Sequence, residues 1–516
     1  NETTTQTRSY ANLKGKDQSR TITQIISTGE EYKINDKNTV GIKGSINYRD
    51  VTRHQINVNK SEKSSFEITK DYDRKNLGPQ VEKDLEFGAK MQHNFAKEGH
   101  ELNLDFVTSK SMEQEDNHFS NIYRVPVIPS TYDNTLIKQG DNESQLTLEY
   151  INPISETARL EAGYIFEYQK NDMDFYGESL NQVAKLWEKD ILKTNRFIYS
   201  TNIHVFYATF QKEMGRFGFL SGLRAENAFV NANQVTTDTS LKNQYFRLYP
   251  SLHLSFKLND VNELQLNYSH RIRRPEGDEM NPFPEYQDPY NLRIGNPHLK
   301  PEEIHSVEMG YQYKNKNMTF LSTLYYRYAY NGMTSITRYM NDSVLVSTTE
   351  NISKSQSAGL ELVIASTIGE LINVNLSTNT FYNTIDASSL GYSNNKSIIS
   401  WSANLSAGIN ISKCTVVQIT SNYIAKRLTP QGEMAPSYIL NTGFKQEFFK
   451  NKAAFIFTMS DVLNTVRNNS IVNTPELYQT VSRRRNARVF YFGLTYTFGN
   501  QGNKKKNTQL NYDIQQ

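Results

Sequence analysis

The chain carries a single cysteine, Cys414, in 516 residues, which excludes an intrachain disulfide framework and every cysteine-based zinc motif. No apolar run approaches the roughly 18 to 20 residues of a transmembrane helix, so a helical membrane protein is excluded too. Apolar material is scarce overall. A hydrophobic fraction of 37% and a mean hydropathy of -0.64 leave too little for several ordinary globular cores. Nor is there an excess of one charge. The 57 Lys and Arg against 54 Asp and Glu give a net +3, dispersed along the chain, so nucleic-acid binding has no electrostatic footprint. The start, NETTTQTRSY, lacks the charged and apolar regions of a secretion signal, as expected of a mature chain or a piece of a longer one.

Marks of catalysis are missing as well. The nine histidines are scattered, without an HExxH or an i, i+4 pair to hold zinc. There is no Gly-rich phosphate loop and no G-x-S-x-G elbow, and the adjacent acids Glu302 and Glu303 sit at a loop end with nothing to make them an acid/base pair. The expectation is a protein that is not an enzyme and needs no metal or cofactor.

Aromatic residues are what the chain has in quantity: 32 Tyr and 26 Phe argue against disorder, because disordered chains lack groups to bury. They recur with period two. Leu160, Ala162, Tyr164, Phe166 and Tyr168 alternate with polar or small neighbours, as do Leu252, Leu254, Phe256 and Leu258. Trp401, Ala403, Leu405, Ala407, Ile409 and Ile411 form a third set. Helical spacing occurs only around Leu180 to Leu192, which predicts a short loop helix. The strands read as about 9 to 13 residues long, the reach of a tilted strand across a bilayer.

Short and long connections take turns along the chain. Gly215 with Arg216, Asn315 to Asn317 and Gly369 with Glu370 are short, whereas Lys110 to Glu143, Lys170 to Asn195 and Arg274 to Glu302 are long. All-β architecture with short turns at one end and long loops at the other is the pattern of an antiparallel, up-and-down outer-membrane β-barrel. The last strand orients it: Phe490, Phe492, Leu494, Tyr496 and Phe498 share a face that must meet lipid, and the opposite parity looks into a lumen. Short turns then lie in the periplasm and long loops outside the cell, and lipid and lipopolysaccharide are partners by necessity.

The loop after the strand at Asn262 reads RRPEGDEMNPFPEYQDPYNLRIGNPHLKPEE. Its length, prolines and aromatics suit a packed lid over the barrel mouth. Arg271, Arg273 and Arg274 form a basic cluster there; Arg224 and Glu226 share a lumen-facing parity. Each suits a wall ladder or contact with an anionic group. Phe283, Tyr286 and Tyr290 could stack on a ligand or grip a partner, as could Tyr330.

These segments resemble a known family. RIRRPEGDEMNPF, DPYNLRIGNPHLKPE, GLRAE, SAGLEL, SDVLNT and the closing RRRNARVFYFGLTYTFG are similar, in order, to the C-terminal β-barrel of TonB-dependent receptors, in the branch called the outer membrane protein β-barrel family. The motif residues are Gly295, Asn296, Pro297, Leu299, Lys300, Pro301 and Glu302. The resemblance implies import of a bulky solute across the outer membrane of a Gram-negative bacterium, with a plug domain upstream and an energy-coupling protein as partners. The alternative is a non-transporting barrel subunit of a larger assembly, with a surface lipoprotein or another outer-membrane protein as partner.

The expected division is an extracellular loop or start segment over 1–20, the barrel over 21–499, and a periplasmic tail over 500–516 that carries Lys504, Lys505 and Lys506. No plug-like domain lies within the sequence. About 19 strands are countable against the family's 22, so the sequence is expected to be the C-terminal part of a longer protein.

Overall fold

The computed structural model describes residues 9–63, 65–288, 291–341, 344–386, 388–390, 396–449, 452–484 and 487–496. Phe498 and the tail with its three lysines lie outside them. The main sheet has 22 strands. Three of these, Leu186–Lys189, Glu285–Asp288 and Asn291–Arg293, are short strands of the loop end, and the remaining 19 form the wall. Each wall strand pairs antiparallel with the next, from Ser9–Lys33 to Phe490–Tyr496, as an up-and-down meander requires. Among the described residues the two outermost strands are paired on one side only.

Alternation follows the predicted parity. Leu252, Leu254 and Phe256 stand opposite Tyr268, Leu266 and Leu264 of the next strand, so apolar side chains gather on one face. That face is bare: Phe206, Leu223, Leu266, Leu324 and Trp401 are all exposed. A protein with so little apolar content does not leave such a surface to water, and lipid is the environment that accepts it. Part of the other face is covered by the chain itself. Phe197, Tyr199, Ile203 and Val205 on the Asn195–Met214 strand are buried there beside Ala228, Val230 and Ala232 of Phe217–Gln234.

Three expectations need correction. The wall strands are far longer than 9 to 13 residues at the amino-terminal side, with 26 in Asn38–Lys63 and 27 in Ile68–Asn94. Much of what reads as loop is strand: Lys110 to Val125 belongs to Glu101–Val125, paired with Thr131–Ser155 across Lys110↔Asn142 and Glu115↔Ile137. Beyond the hydrocarbon a ladder needs no apolar face, since backbone pairing proceeds with both faces wet, and the period-two signal fades. The helix over Leu180 to Leu192 is not formed. The Ala158–Asn181 strand turns back instead through Leu186–Lys189, pairing Leu180↔Trp187 and Asn181↔Leu186.

Pro250 shapes the wall locally. The Thr239–Lys257 strand pairs along its length with Phe217–Gln234, yet its ladder to Asn262–Arg273 stops at Ser251↔Ser269, next to a residue with no N–H to donate. Above that point side chains close the seam through Glu303. Arg247 Nε donates to its Oε1 at 3.4 Å, His270 Nε2 lies 3.0 Å from its Oε2, and the Tyr330 hydroxyl donates to the same oxygen at 2.5 Å. His270 and His253 are thus wall residues, the latter 3.1 Å from Asn267.

Candidate functional site

The loop after Arg273 folds inward onto the covered face of the sheet. A four-residue helix, Gly277–Met280, starts it, with Glu276 and Glu279 forming a reciprocal capping box. Met280 drops into a socket of Phe197, Tyr199, Val230 and Ala232 and is 1% exposed. Gly277 sits where a Cβ would come 3.3 Å from Tyr199, so the helix lies close against the wall. The Tyr199 hydroxyl donates to the Pro275 carbonyl at 3.3 Å.

Ion pairs fasten the same loop. Arg274 meets the Glu226 carboxylate, which is 1% exposed and also receives Arg224 at 3.2 Å. Burial pushes the Arg274 guanidinium below its ordinary range, against the pull of Glu167. Arg273 bridges Glu279 at 3.1 Å and Glu302 at 3.7 Å. Arg224, Glu226, Arg273 and Arg274 are therefore held by one another and by the loop. Arg271 stays exposed at the strand's upper end, with no carboxylate within ion-pair reach among the described residues.

The far limb of the loop crosses to another part of the wall. Asn291–Arg293 runs parallel to Leu345–Ser347, Asn296 Nδ2 donates to the Thr349 carbonyl at 3.2 Å, and Asn351 exchanges two hydrogen bonds with the backbone of Lys300. The two limbs meet at Gly295 and Asn296, whose N–H groups donate to the carbonyls of Asn281 and Glu279 at 2.7 and 2.6 Å. A Cβ at Gly295 would fall 2.5 Å from the Asn281 carbonyl oxygen, so only glycine fits. Asn296 caps the next turn by accepting from the His298 N–H at 3.0 Å, and Leu299 is buried beneath it. Pro297 and Pro301 end pairing before the Glu302–Lys314 strand begins.

Beside this loop opens a cavity of 2190 Å³, lined by Phe283, Asp278 and Arg293 from the loop and by side chains of the extended wall strands. One wall of it is a buried ionic strut, in which Arg74 grips Asp133 through two bonds of 3.1 and 3.0 Å with Lys193 3.4 Å away. Burial pushes the Asp133 carboxyl up, but the hydrogen bonds and charge of Arg74, with Lys193, outweigh it and hold the group below its ordinary value. Phe119 lies 3.9 Å beneath the Arg74 guanidinium. A four-stranded sheet of Arg427–Thr429, Gly432–Met434, Arg467–Asn473 and Tyr478–Arg484 supplies another wall. Gln431 stitches that sheet to the barrel by pairing its amide with both backbone groups of Thr337.

Sequence reasoning missed Met280 and its socket, Asn351, Gln431 and the Arg74 strut. Only the alternation of Phe197 to Val205 carried a signal, as an apolar face of the wrong parity for lipid. Phe283 lines the cavity, and the backbone of Tyr286 pairs with Leu292. Tyr290 lies outside the described residues.

The profile of the outer membrane protein beta-barrel family matches residues 93–496. The chain belongs to that family. Its place is the outer membrane, with the exposed apolar face toward lipid, the short turns in the periplasm and the cavity on the cell surface. No curated protein matches it. Among solved structures it is similar to the ferric-catecholate import receptor Fiu of E. coli K12, with 11% identity over 95% of this chain and 81% of that one at a TM-score of 0.56. The copper transporter OprC gives 10% identity, coverages of 95% and 81% and a TM-score of 0.58. The siderophore receptor PiuA of Acinetobacter baumannii gives 10%, 94%, 81% and 0.57. At such identities the likeness is one of fold, and the fold is that of TonB-dependent receptor barrels.

Proposed function

We propose that this family member is the barrel of an import receptor that takes a bulky solute from the cell surface. The observation that carries the reading is the 2190 Å³ cavity at the loop end, walled by a loop fastened across the inner face of the sheet. A loop anchored across the inner face by a buried ion pair and an apolar socket gives a receptor the fixed wall it needs to hold a solute. The transport proteins with the same fold, Fiu, OprC and PiuA, support it. Transport of this kind implies a plug in the lumen, an energy-coupling partner and no enzymatic step.

Deleting the gene should abolish energy-dependent accumulation of one labelled solute from a panel too large for general porins, and the intact gene should restore it. Unchanged accumulation across iron complexes, oligosaccharides and peptides would refute the reading. A second reading, a barrel subunit that docks a surface protein, rests on one patch. Val127 and Val183 are 91% and 94% exposed at the tips of neighbouring hairpins, together with Leu186, Ile191 and Leu192, and Gln182 ties the tips by donating to the Ser130 carbonyl at 2.8 Å. Recovery of one stoichiometric partner, lost on Val183→Asp with Ile191→Asp, favours that reading.

A further inference from the structure

The outer wall carries a second cavity, on the side that meets lipid. It is a groove of 690 Å³ across four neighbouring wall strands, bounded by the rings of Tyr164, Phe206, Phe229 and Phe246, with Ala225, His204 and Asn227 between them. Rings near the edge of the hydrocarbon are ordinary interfacial aromatics. The two polar side chains among them need another explanation. His204 Nδ1 lies 2.8 Å from the Tyr164 hydroxyl, and Asn227 Oδ1 accepts from Gln244 Nε2 at 3.2 Å. His204 Nε2 and Asn227 Nδ2 are left without a hydrogen-bond partner among the described residues. Polar groups turned toward lipid are costly unless something outside the chain satisfies them.

Four residues closer to the loops, the same face changes character. The register sets Lys110, Asn142, Lys170, Ser200, Asn231 and Lys242 in one row across six strands. Alternation gives the row the parity of the groove, so it lies on the outward face. The row contains no acid, and no carboxylate lies within ion-pair reach of its three lysines among the described residues. Asp172, the next outward residue beyond Lys170, is taken by Arg196 at 2.9 Å. With strands about 4.8 Å apart, the three lysines stand roughly 10 and 14 Å from one another along the row. An ammonium is a compact point charge suited to phosphate, and basic groups at this height draw anionic headgroups.

We propose that this stretch of outer wall binds a phosphorylated glycolipid of the outer leaflet, lipopolysaccharide. Its acyl chains lie against the rings of the groove. Asn227 Nδ2 donates to an oxygen of the acyl linkages and His204 Nε2 pairs with another. Lys170 and Lys242 hold the headgroup phosphates, with Lys110 at the edge. Two phosphates on one headgroup match lysines set apart along a row, whereas an ordinary phospholipid presents one. The site faces away from the lumen, so it serves a barrel that imports a solute and one that docks a partner alike.

Native mass spectrometry of the purified full chain in non-ionic detergent reads the bound lipid directly, with lipid A as the probe and phosphate-free lipid A and phosphatidylglycerol as comparisons. Lys170→Gln with Lys242→Gln should weaken lipid A binding by at least about tenfold, and removing the probe's phosphates should do the same to the parent. Arginine at both positions should keep the binding, since the charge is retained. Ala225→Phe fills the floor of the groove, leaves the lysines in place and should also weaken it. Lys316→Gln, exposed at a short turn, should change nothing. The heat-dependent gel shift of a folded barrel, recorded for every variant, separates loss of the site from loss of structure. Phosphatidylglycerol bound as tightly as lipid A would make the groove a general lipid contact and overturn the assignment. Equal binding of phosphate-free lipid A, equal binding by the Gln variant, or no binding by the parent overturns it as well, and full binding by Ala225→Phe overturns the placing of the chains.

Discussion

Truncating Met280 to alanine should release the loop that walls the cavity. The side chain is 1% exposed and packs on Phe197, Tyr199, Val230 and Ala232, themselves almost fully buried. Removing a buried methionine of this kind costs about 2 to 5 kcal/mol in a rigid core. A loop can partly collapse into the space, so about 2 to 3 kcal/mol is the reasonable range here. At about 1.4 kcal/mol per factor of ten, the population of undocked loop should rise roughly 30- to 150-fold. Cleavage by an added protease on intact cells reads that population directly when opening and closing are fast relative to cutting. The nick should fall between Asn281 and Ile294, and Met280→Leu, which conserves volume, should change its rate by less than about tenfold. Met340, 55% exposed on the Met318–Asn341 strand, is the control, since alanine there should do nothing measurable. If Met280→Ala leaves the cleavage rate of the loop at the parental value, the socket is not what fastens it.

Arginine at Leu405, opposite Leu376 on the lipid-facing side, should cost about 2 to 4 kcal/mol in a refolding titration into liposomes, whereas arginine at Ser406, opposite Asn375 and Thr420, should be tolerated; equal losses would contradict the assigned faces. Asp133→Asn strands the buried Arg74 and should cost about 3 to 5 kcal/mol locally, seen as faster amide exchange over residues 119–135. Because the folded carboxyl titrates below its ordinary value of 3.8, its contribution is complete above that pH and is lost as pH falls further, so parent and variant should converge in acid; a gap that persists there would refute the strut. Cys414 is exposed at a short turn, so an impermeant thiol reagent should miss it on intact cells and label a cysteine placed at Val127 in a Cys414→Ser background; the opposite pattern would invert the topology.

Where the sheet crosses the membrane, its residues declare themselves. Leu252, Leu254 and Phe256 alternate because one face meets hydrocarbon and the other a wet lumen, and that two-phase environment writes a period into the sequence. Outside the bilayer the same strands lose the signal. Residues 110–118, KSMEQEDNH, are polar on both faces except at Met112 and are held by their neighbours' backbones, which leave no mark on side-chain choice. The stretch from Leu180 to Leu192 shows the opposite failure, as apolar side chains there stand at helical spacing while the backbone pairs as a hairpin and leaves Val183 and Ile191 in the open. Arg224 and Glu226 were legible as one face of a strand. Their partner Arg274 was not, because contact between residues so far apart in the sequence depends on where the loop lands, and the loop lands by way of one methionine.

That division bears on what the Gly295 to Glu302 motif does. Much of its polar backbone is spent on the loop's own architecture: Gly295 admits the Asn281 and Glu279 carbonyls, Asn296 caps a turn and holds Thr349, and Lys300 exchanges bonds with Asn351 through its backbone. Groups so engaged fix a shape. On the import reading, recognition then falls to side chains of the cavity wall that lie outside the motif. The motif is in this sense the loop's joint, and the cavity beside it is walled largely by strands that obey no apolar period.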